Sequence, residues 1–276
     1  MKINFRQKTI FNIPKYVGLL LLGFLAFYPL FFIIMTSFKS NQQFYLNFWT
    51  PTLPLYFENY IPALAIVGRC ILNSAFYSGC NMAIVVMISA LAGYAFAGYD
   101  FPGKEILFFS ILALQMIPEV LLYIPLYSIM YQLKWMNQPQ ALLTHWSARS
   151  VVIGTLILRT SFASQPREIF EAARIEGARE HTIFFKMALP LALPALGTVA
   201  IVDLLFTWND IMWPLLVIGE KQLKPLAVGL LAFRGAFYAS YGVLFAGYAL
   251  ASFPLIIVFA FMVKKFLQGL KGGLEI

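Results

Sequence analysis

Apolar residues in this chain gather in long uncharged runs, separated by short charged stretches. Residues 16–38 carry no charge over 23 positions, residues 70–99 none over 30 and residues 235–263 none over 29. Residues 106–133 hold one charged side chain, Glu119, and residues 187–219 hold two, Asp203 and Asp210. About 20 apolar residues suffice for a helix to cross a bilayer, so these runs predict five spans. A sixth, residues 141–162, has His145 and Arg149 near one end and Arg159 near the other. Polar and apolar residues do not alternate strictly, which argues against a β-barrel. The predicted fold is therefore all-α: a polytopic membrane protein with six transmembrane helices, forming one domain over residues 1–276. The spans are placed at 16–38, 70–98, 106–133, 141–162, 188–218 and 237–263. An arm (1–15), a loop (163–187) and a tail (264–276) complete it.

Composition agrees. Of 276 residues 61% are hydrophobic and only 12% charged, and the mean hydropathy is +0.77. A soluble domain carries roughly 25% charged residues. Lys2, Arg6, Lys8 and Lys15 precede the first run as in a signal peptide, but the run is too long for a signal core and no small-residue cleavage site follows. It reads as a retained anchor. Six spans place both termini on one side, which then holds 13 of the 20 Lys and Arg against 7 on the other. The positive-inside rule makes that side cytoplasmic. The net charge of +8 follows from this bias and calls for no nucleic acid. Cys70 and Cys80 have neither metal-site nor disulfide spacing, and His145 and His181 fall on opposite sides.

Gly98-x4-Gly103-Lys104 imitates most of a phosphate-binding loop. Its chemistry is wrong: Glu105 stands where Ser or Thr would hold Mg2+, Asp100 adds negative charge, and Pro102 lacks an N–H. The stretch reads as a short turn between the second and third spans.

The 163–187 loop is of a different kind, because Glu168, Glu171, Glu176 and Glu180 all sit in it. Pro166 suits a first helical turn, with Ser164 or Gln165 as cap. Ile169, Phe170 and Ala173 recur on one helical face. Gly177 stops the run as a left-handed cap. Ile183, Phe184 and Met187 form a second amphipathic piece, and Pro190 and Pro194 mark entry into the fifth span. Such a hairpin either lies on the membrane or presents a helix to a partner, with Ala172 and Ala173 permitting close approach and Glu171 offering an acceptor.

EAARIEGA, residues 171–178, followed by Leu189-Pro190, resembles the EAA motif of ABC importer permeases. In that family the motif forms the coupling helix that docks on an ATP-hydrolysing subunit. NSAF at Asn73, LAGYAFAGYDFPGK at 91–104, QMIPEVLLYIPLY at 115–127 and TWNDIMWPLLV at 207–217 are similar to carbohydrate-uptake permeases of the maltose-transporter type. The resemblance runs the length of the chain and implies the smaller six-span permease of a sugar importer in a bacterial inner membrane. It implies alternating access powered by ATP, with ATP and Mg2+ bound by partner subunits and no cofactor in this chain. It implies a second homologous permease, two ATP-binding subunits and an extracytoplasmic solute-binding protein. It assigns ATPase coupling to Glu171, Ala172, Ala173, Gly177, Leu189 and Pro190. Three features depart from the pattern: Glu176 stands where Asp is commoner, Glu119 is unusual in its segment, and the ending GLKGGLEI differs.

Ionisable groups in hydrocarbon are costly, so Glu119, Asp203 and Asp210 face protein, water or an interface. They line a sugar path or stitch helices together. The substrate-path candidates are Asn73, Gln115, Glu119, Trp208, Asn209 and Asp210. The rival function is a secondary transporter driven by an ion gradient, with the three carboxylates relaying protons. No metal site and no catalytic constellation stands out, so the chain is not read as an enzyme.

Overall fold

A computed structural model describes residues 5–237 and 239–272, with side chains described for 15–237 and 239–261. The N-terminal arm is described only from Phe5, and the last residues of the GLKGGLEI tail lie outside the described residues. Every regular element among the described residues is helical. Four helices are long and apolar enough to cross a membrane: Lys15–Ser37, Phe57–Gly98, Pro139–Ala163 and Tyr241–Phe261. Two bent helix pairs are apolar enough to cross only when each is taken together. Lys104–Met116 and Glu119–Gln132 meet at 96°, and Glu180–Leu191 and Leu193–Asn209 at 75°. Counting each pair once gives six.

The helices, in chain order, are α1 (Phe5–Ser37), α2 (Asn41–Leu46), α3 (Tyr60–Gly98), α4 (Lys104–Ala113), α5 (Glu119–Gln132), α6 (Pro139–Ala163), α7 (Arg167–Ile175), α8 (Glu180–Ile183), α9 (Leu189–Leu191), α10 (Leu193–Asn209), α11 (Met212–Val217), α12 (Leu226–Ala236) and α13 (Tyr241–Gly272). Several limits differ from those expected. The second span does not begin at residue 70: its helix starts ten residues earlier and runs through Arg69, whose Nε donates to the Gln222 carbonyl at 3.0 Å. The expected 106–133 span is broken at Pro118, which has no N–H to give and holds Ile117 extended at ψ 120°. The 188–218 span ends early at Asn209, and Asp210 is extended at ψ 125°. The 11-residue helix α12 was not expected as a separate element.

By internal contacts the chain forms two units. The first comprises the residues through Gly68 together with Leu230–Phe253. Its order rests on a box at the start of α2. The Gln43 N–H bonds Ser40 Oγ at 3.2 Å, and the Ser40 N–H bonds Gln43 Oε1 at 3.0 Å. Phe44 stacks on Tyr241 at 4.1 Å, with Phe48 edge-on at 4.9 Å. Lys39 is buried, and its ammonium donates to the Asn47 and Phe48 carbonyls at 2.6 and 3.1 Å.

The second unit comprises Arg69–Gly229 and the chain from Pro254. It is layered along α3, α6 and α10. One apolar cluster gathers Tyr77, Tyr123, Leu142, Trp146 and Trp213. The other gathers Val85, Leu158, Phe162, Phe170, Ile183 and Leu196. A buried polar seam joins the same three helices. Asn81 Nδ2 donates to Asp203 Oδ1 at 2.9 Å, Ser147 Oγ to Asn81 Oδ1 at 2.7 Å and Thr207 Oγ1 to Ser78 Oγ at 2.8 Å.

Two glycines let α3 and α6 approach. A Cβ on Gly93 would lie 2.8 Å from the Arg159 nitrogen and 2.9 Å from Leu158 Cβ. One on Gly154 would lie 2.9 Å from Ser89 Cβ and 3.1 Å from Val199 Cγ1. Small residues at such crossings are the usual device for packing helices in lipid, where no hydrophobic force drives association. Gly154→Leu and Gly93→Leu are each expected to cost about 1–3 kcal/mol by overpacking. Gly79→Ala in α3, where a Cβ meets nothing within 4 Å, serves as the neutral control. Thermal unfolding of the detergent-purified protein measures the difference.

Candidate functional site

The loop singled out in the sequence folds as a short helix between α6 and α10. The expected caps do not form. Pro166 itself takes the N-cap position before Arg167, Ser164 Oγ donates to the Ser161 carbonyl at 2.8 Å, and Gln165 Nε2 donates to the Ala188 carbonyl at 3.2 Å. A proline there withholds only an N–H that a helix start leaves unused. Phe170 turns inward into the apolar cluster with Ile183 and Phe184, and Ala173 packs against its edge. The opposite face is open: Glu171 and Ala172 are exposed, and Ile175 is 87% exposed. Ile169, expected on the buried face, is instead 44% exposed.

α7 ends at Gly177, which adopts φ +82°. The Ala178 N–H bonds the Ala173 carbonyl at 2.9 Å and the Gly177 N–H bonds the Arg174 carbonyl at 3.0 Å. This is the Schellman pattern, and it favours glycine at the left-handed position. Beyond it Glu180 accepts from Arg174 Nε at 2.6 Å and from Tyr99 Oη at 2.6 Å. The guanidinium first, and the Tyr99 hydroxyl next, hold the Glu180 carboxyl below the usual carboxylate range. Desolvation, then the bond to Glu180, push the Tyr99 phenol up to about 12, so it remains a donor at neutral pH. After the loop a π-helical turn over Phe184–Ala188 carries the chain to Leu189, which packs against the same apolar cluster, and to Pro190, which is exposed.

The phosphate-loop imitation resolves as a turn. Gly103 has φ +79° and precedes α4, and Lys104 Nζ pairs with Asp100 Oδ1 at 3.0 Å. That bond to Lys104 lowers the Asp100 carboxyl below its ordinary value. Glu105 pairs with Arg159 at 2.5 Å, and the Arg159 guanidinium stacks 3.9 Å over the Phe108 ring.

Of the six substrate-path candidates, two meet. Gln115 and Glu119 line a cleft of ≈ 520 Å³ with His145, Arg149, Leu122 and Val152. The bend at Pro118 opens it, and α6 supplies its floor. The Glu119 carboxylate is held by Arg149 Nη1 and by His145 Nε2, the latter at 3.0 Å. The Arg149 guanidinium sits 4.3 Å over Phe206, and Gln115 Nε2 donates to the Arg149 carbonyl at 2.9 Å. The other four lie elsewhere. Asn73 spends its amide on the Gln222 and Lys224 carbonyls at 2.8 and 3.0 Å. Trp208 is buried, and Asn209 donates to the Leu205 carbonyl at 2.7 Å. Asp210 accepts from Trp146 Nε1 at 2.7 Å and from the Met212 N–H at 3.1 Å, at the start of α11. Arg149, His145, Tyr94 and Tyr99 were not among the predicted site residues. Their partners lie 26 to 86 positions away in sequence, too far for helical spacing to reveal.

Comparison with known proteins gives one consistent answer. The family described as binding-protein-dependent transport system inner membrane component matches residues 85–272. The arabinooligosaccharides transport system permease protein AraQ of Halalkalibacterium halodurans is 32% identical, over 93% of this chain and 94% of its own. The lactose transport system permease protein LacG of Rhizobium radiobacter is 26% identical over 98% of both. The trehalose/maltose transport system permease protein MalG of Thermococcus litoralis is 27% identical, over 97% of this chain and 98% of its own. Among solved structures, a chain of a bacterial ABC transporter involved in import of the acidic polysaccharide alginate superposes with a TM-score of 0.77. It covers 96% of this chain and 100% of that chain at 22% identity, and so establishes the likeness of fold.

The ion pair in the cleft is open to direct measurement. Arg149→Met leaves a half-buried carboxylate with His145 alone and is expected to cost about 1–3 kcal/mol of stability. Adding Glu119→Gln should recover part of that loss, because it removes the charge that has lost its guanidinium. A double-mutant cycle read by thermal unfolding gives the coupling.

Proposed function

Because the chain belongs to the family of inner membrane components of binding-protein-dependent transport systems, we propose that it is a permease subunit that carries a carbohydrate into the cytoplasm. In this reading ATP binding and hydrolysis occur, with Mg2+, in two partner subunits, and α7 is the helix that docks on them. A second homologous permease completes the membrane channel, and an extracytoplasmic binding protein delivers the solute. Both termini and the 163–187 loop face the cytoplasm.

The observation that carries the reading is the build of α7. Its inner face is fixed by Phe170 and its end is set by Gly177, while its outer face leaves Glu171, Ala172 and a bare Ile175 without cover. An exposed aliphatic group beside an acceptor carboxylate is what a protein partner would cover. Leu189 and Pro190 then lead the movement into α10. The carbohydrate assignment is supported by the relatives, whose names specify arabinooligosaccharides, lactose and trehalose or maltose. On the solute path, Gln115 and Glu119 are the residues through which this chain would meet sugar hydroxyls, since both line the cleft.

A tagged pull-down from native membranes in mild detergent tests the assembly. One second permease and two copies of an ATPase are expected. Recovery of this chain alone, still transporting after reconstitution, would overturn the proposal. Coupling is tested separately by Gly177→Pro. Proline cannot adopt φ +82° and loses the N–H that bonds the Arg174 carbonyl. The assembled variant should keep ATP hydrolysis while uptake of labelled lactose, trehalose and arabinooligosaccharide falls at least about tenfold, roughly 1.4 kcal/mol of lost coupling. Wild-type uptake would remove α7 from the mechanism.

A further inference from the structure

α7 is continuous by chain with α6 on one side and with α8 to α10 on the other. It has no chain connection of that kind to α3, whose end at Gly98 lies nearly 70 residues earlier. Both contribute to one apolar cluster, α3 through Tyr94 and Ala97 and α7 through Phe170 and Ala173, and their ends converge on one carboxylate. Glu180 accepts from Arg174 Nε at 2.6 Å and Nη2 at 3.4 Å, and from Tyr99 Oη at 2.6 Å and Tyr94 Oη at 3.3 Å. Arg174 belongs to the last turn of α7, while Tyr94 and Tyr99 belong to the end of α3 and the residue just after it. Bonds from a cation and two phenols to one carboxylate are the strong, charge-assisted kind, and the guanidinium fork fixes direction as well as distance.

Packing between their ends is interrupted. A hollow of ≈ 110 Å³ lies between the end of α3 and α7, lined by Tyr94, Ala97, Gly98, Gln165, Glu171 and Arg174. A gap of that kind transmits little force, since its lining atoms have no partners across it. The Tyr94 ring, by contrast, is held on its other sides. It meets Phe162 of α6 edge-on at 5.5 Å and Phe184 of the π-helical turn at 5.1 Å. It also meets the Tyr99 ring edge-on at 6.0 Å.

We propose that Tyr94, Tyr99, Glu180 and Arg174 form a clasp that makes the end of α3 follow α7 when the ATPase subunits close. They are positioning residues: none touches solute or nucleotide, and each acts through the helix it ties. The proposal rests on α7 being the coupling helix. It adds that α3, and not only the chain-connected α6 and α10, receives the motion directly.

The test uses the intact complex in lipid nanodiscs, with ATP and vanadate as the probe. Cys70→Ala and Cys80→Ala provide the background. Nitroxides are attached through Phe101→Cys or His181→Cys, each paired with Tyr131→Cys on α5, all three being exposed positions. Pulsed electron spin resonance then reads the end of α3 in one pair and the loop bearing α7 in the other. In this background, with the clasp intact, both distances should shift when ATP and vanadate are added. With Glu180→Gln or Tyr99→Phe the 181–131 shift should persist while the 101–131 shift is lost. Tyr99→Phe is the sharper variant, because it leaves the Arg174–Glu180 pair and hence the local fold of the loop intact. A 101–131 shift that survives both substitutions overturns the clasp alone. Loss of both shifts in Tyr99→Phe, with the complex assembled and hydrolysing ATP, also overturns it, because the residue would then be shaping α7 itself. Absence of any shift in the background sample counts instead against the coupling role of α7.

Discussion

A bilayer interior offers no water to a polar group, and this constraint organises the permease from its backbone to its charges. Among the described residues, the three carboxylates singled out within the spans each have a protein partner. Glu119 is matched by Arg149 and His145, Asp203 by Asn81, and Asp210 by Trp146. The breaks in the helices obey the same rule. Pro118 and the turn at Ala192 free backbone groups, and both lie in stretches that pack against α6 or the adjoining π-helical turn rather than standing alone. Asp210 accepts the Met212 N–H at the third such break. Polar chemistry in these spans is thus concentrated where the helices are interrupted or cross, which is also where a solute path could be opened.

The same constraint separates two kinds of rigidity. Along α3, α6 and α10 the packing is close: two glycines admit a neighbouring helix, and the seam from Ser78 to Thr207 fixes register by hydrogen bonds. Such an interface resists sliding, because each displacement strands a buried donor. The 163–187 loop is built differently. Its helix α7 is held by one buried aromatic, Phe170, with Ala173 at its edge, a left-handed glycine and a set of partly exposed polar bonds. Elements held by few apolar contacts belong to the more easily displaced part of a fold. A stiff three-helix core beside a loosely seated helix is a suitable division for a device that converts docking into movement.

Much of this was legible in the sequence, for identifiable reasons. Runs poor in charge marked the long apolar helices because charge in lipid is so costly. Gly177 was legible because only a left-handed position explains a glycine at that point in an amphipathic pattern, and φ +82° is what the backbone adopts. What escaped was tertiary. Arg69 looked like the edge of a span, yet α3 runs through it because the Gln222 carbonyl accepts its Nε proton. Residues 106–133 looked continuous by composition. The pre-proline restriction at Ile117 was present in the letters, but the resulting 96° bend was not. Ser164 looked like a cap by residue type, and its hydroxyl instead turned back to its own helix. The Glu119 partners were invisible because pairing across helices follows from rotation and depth, neither of which a linear pattern contains.

That limit bears on where function should be sought in such chains. A motif such as EAARIEGA is a local pattern and can be read locally. The residues that tie its motion to the membrane core are dispersed: Tyr94 and Tyr99 close one helix, Arg174 ends another and Glu180 opens a third. Each alone has an ordinary explanation, an interfacial aromatic or a solvated charge. Only their convergence on one carboxylate, with a hollow beside it where packing could have been, distinguishes a transmission element from surface decoration. In a permease the force must cross from a protein partner to lipid-embedded helices, and water-exposed salt bridges are individually weak. A carboxylate shared among a guanidinium and two phenols, one of them a donor at every physiological pH, is better suited to carry it than any single pair.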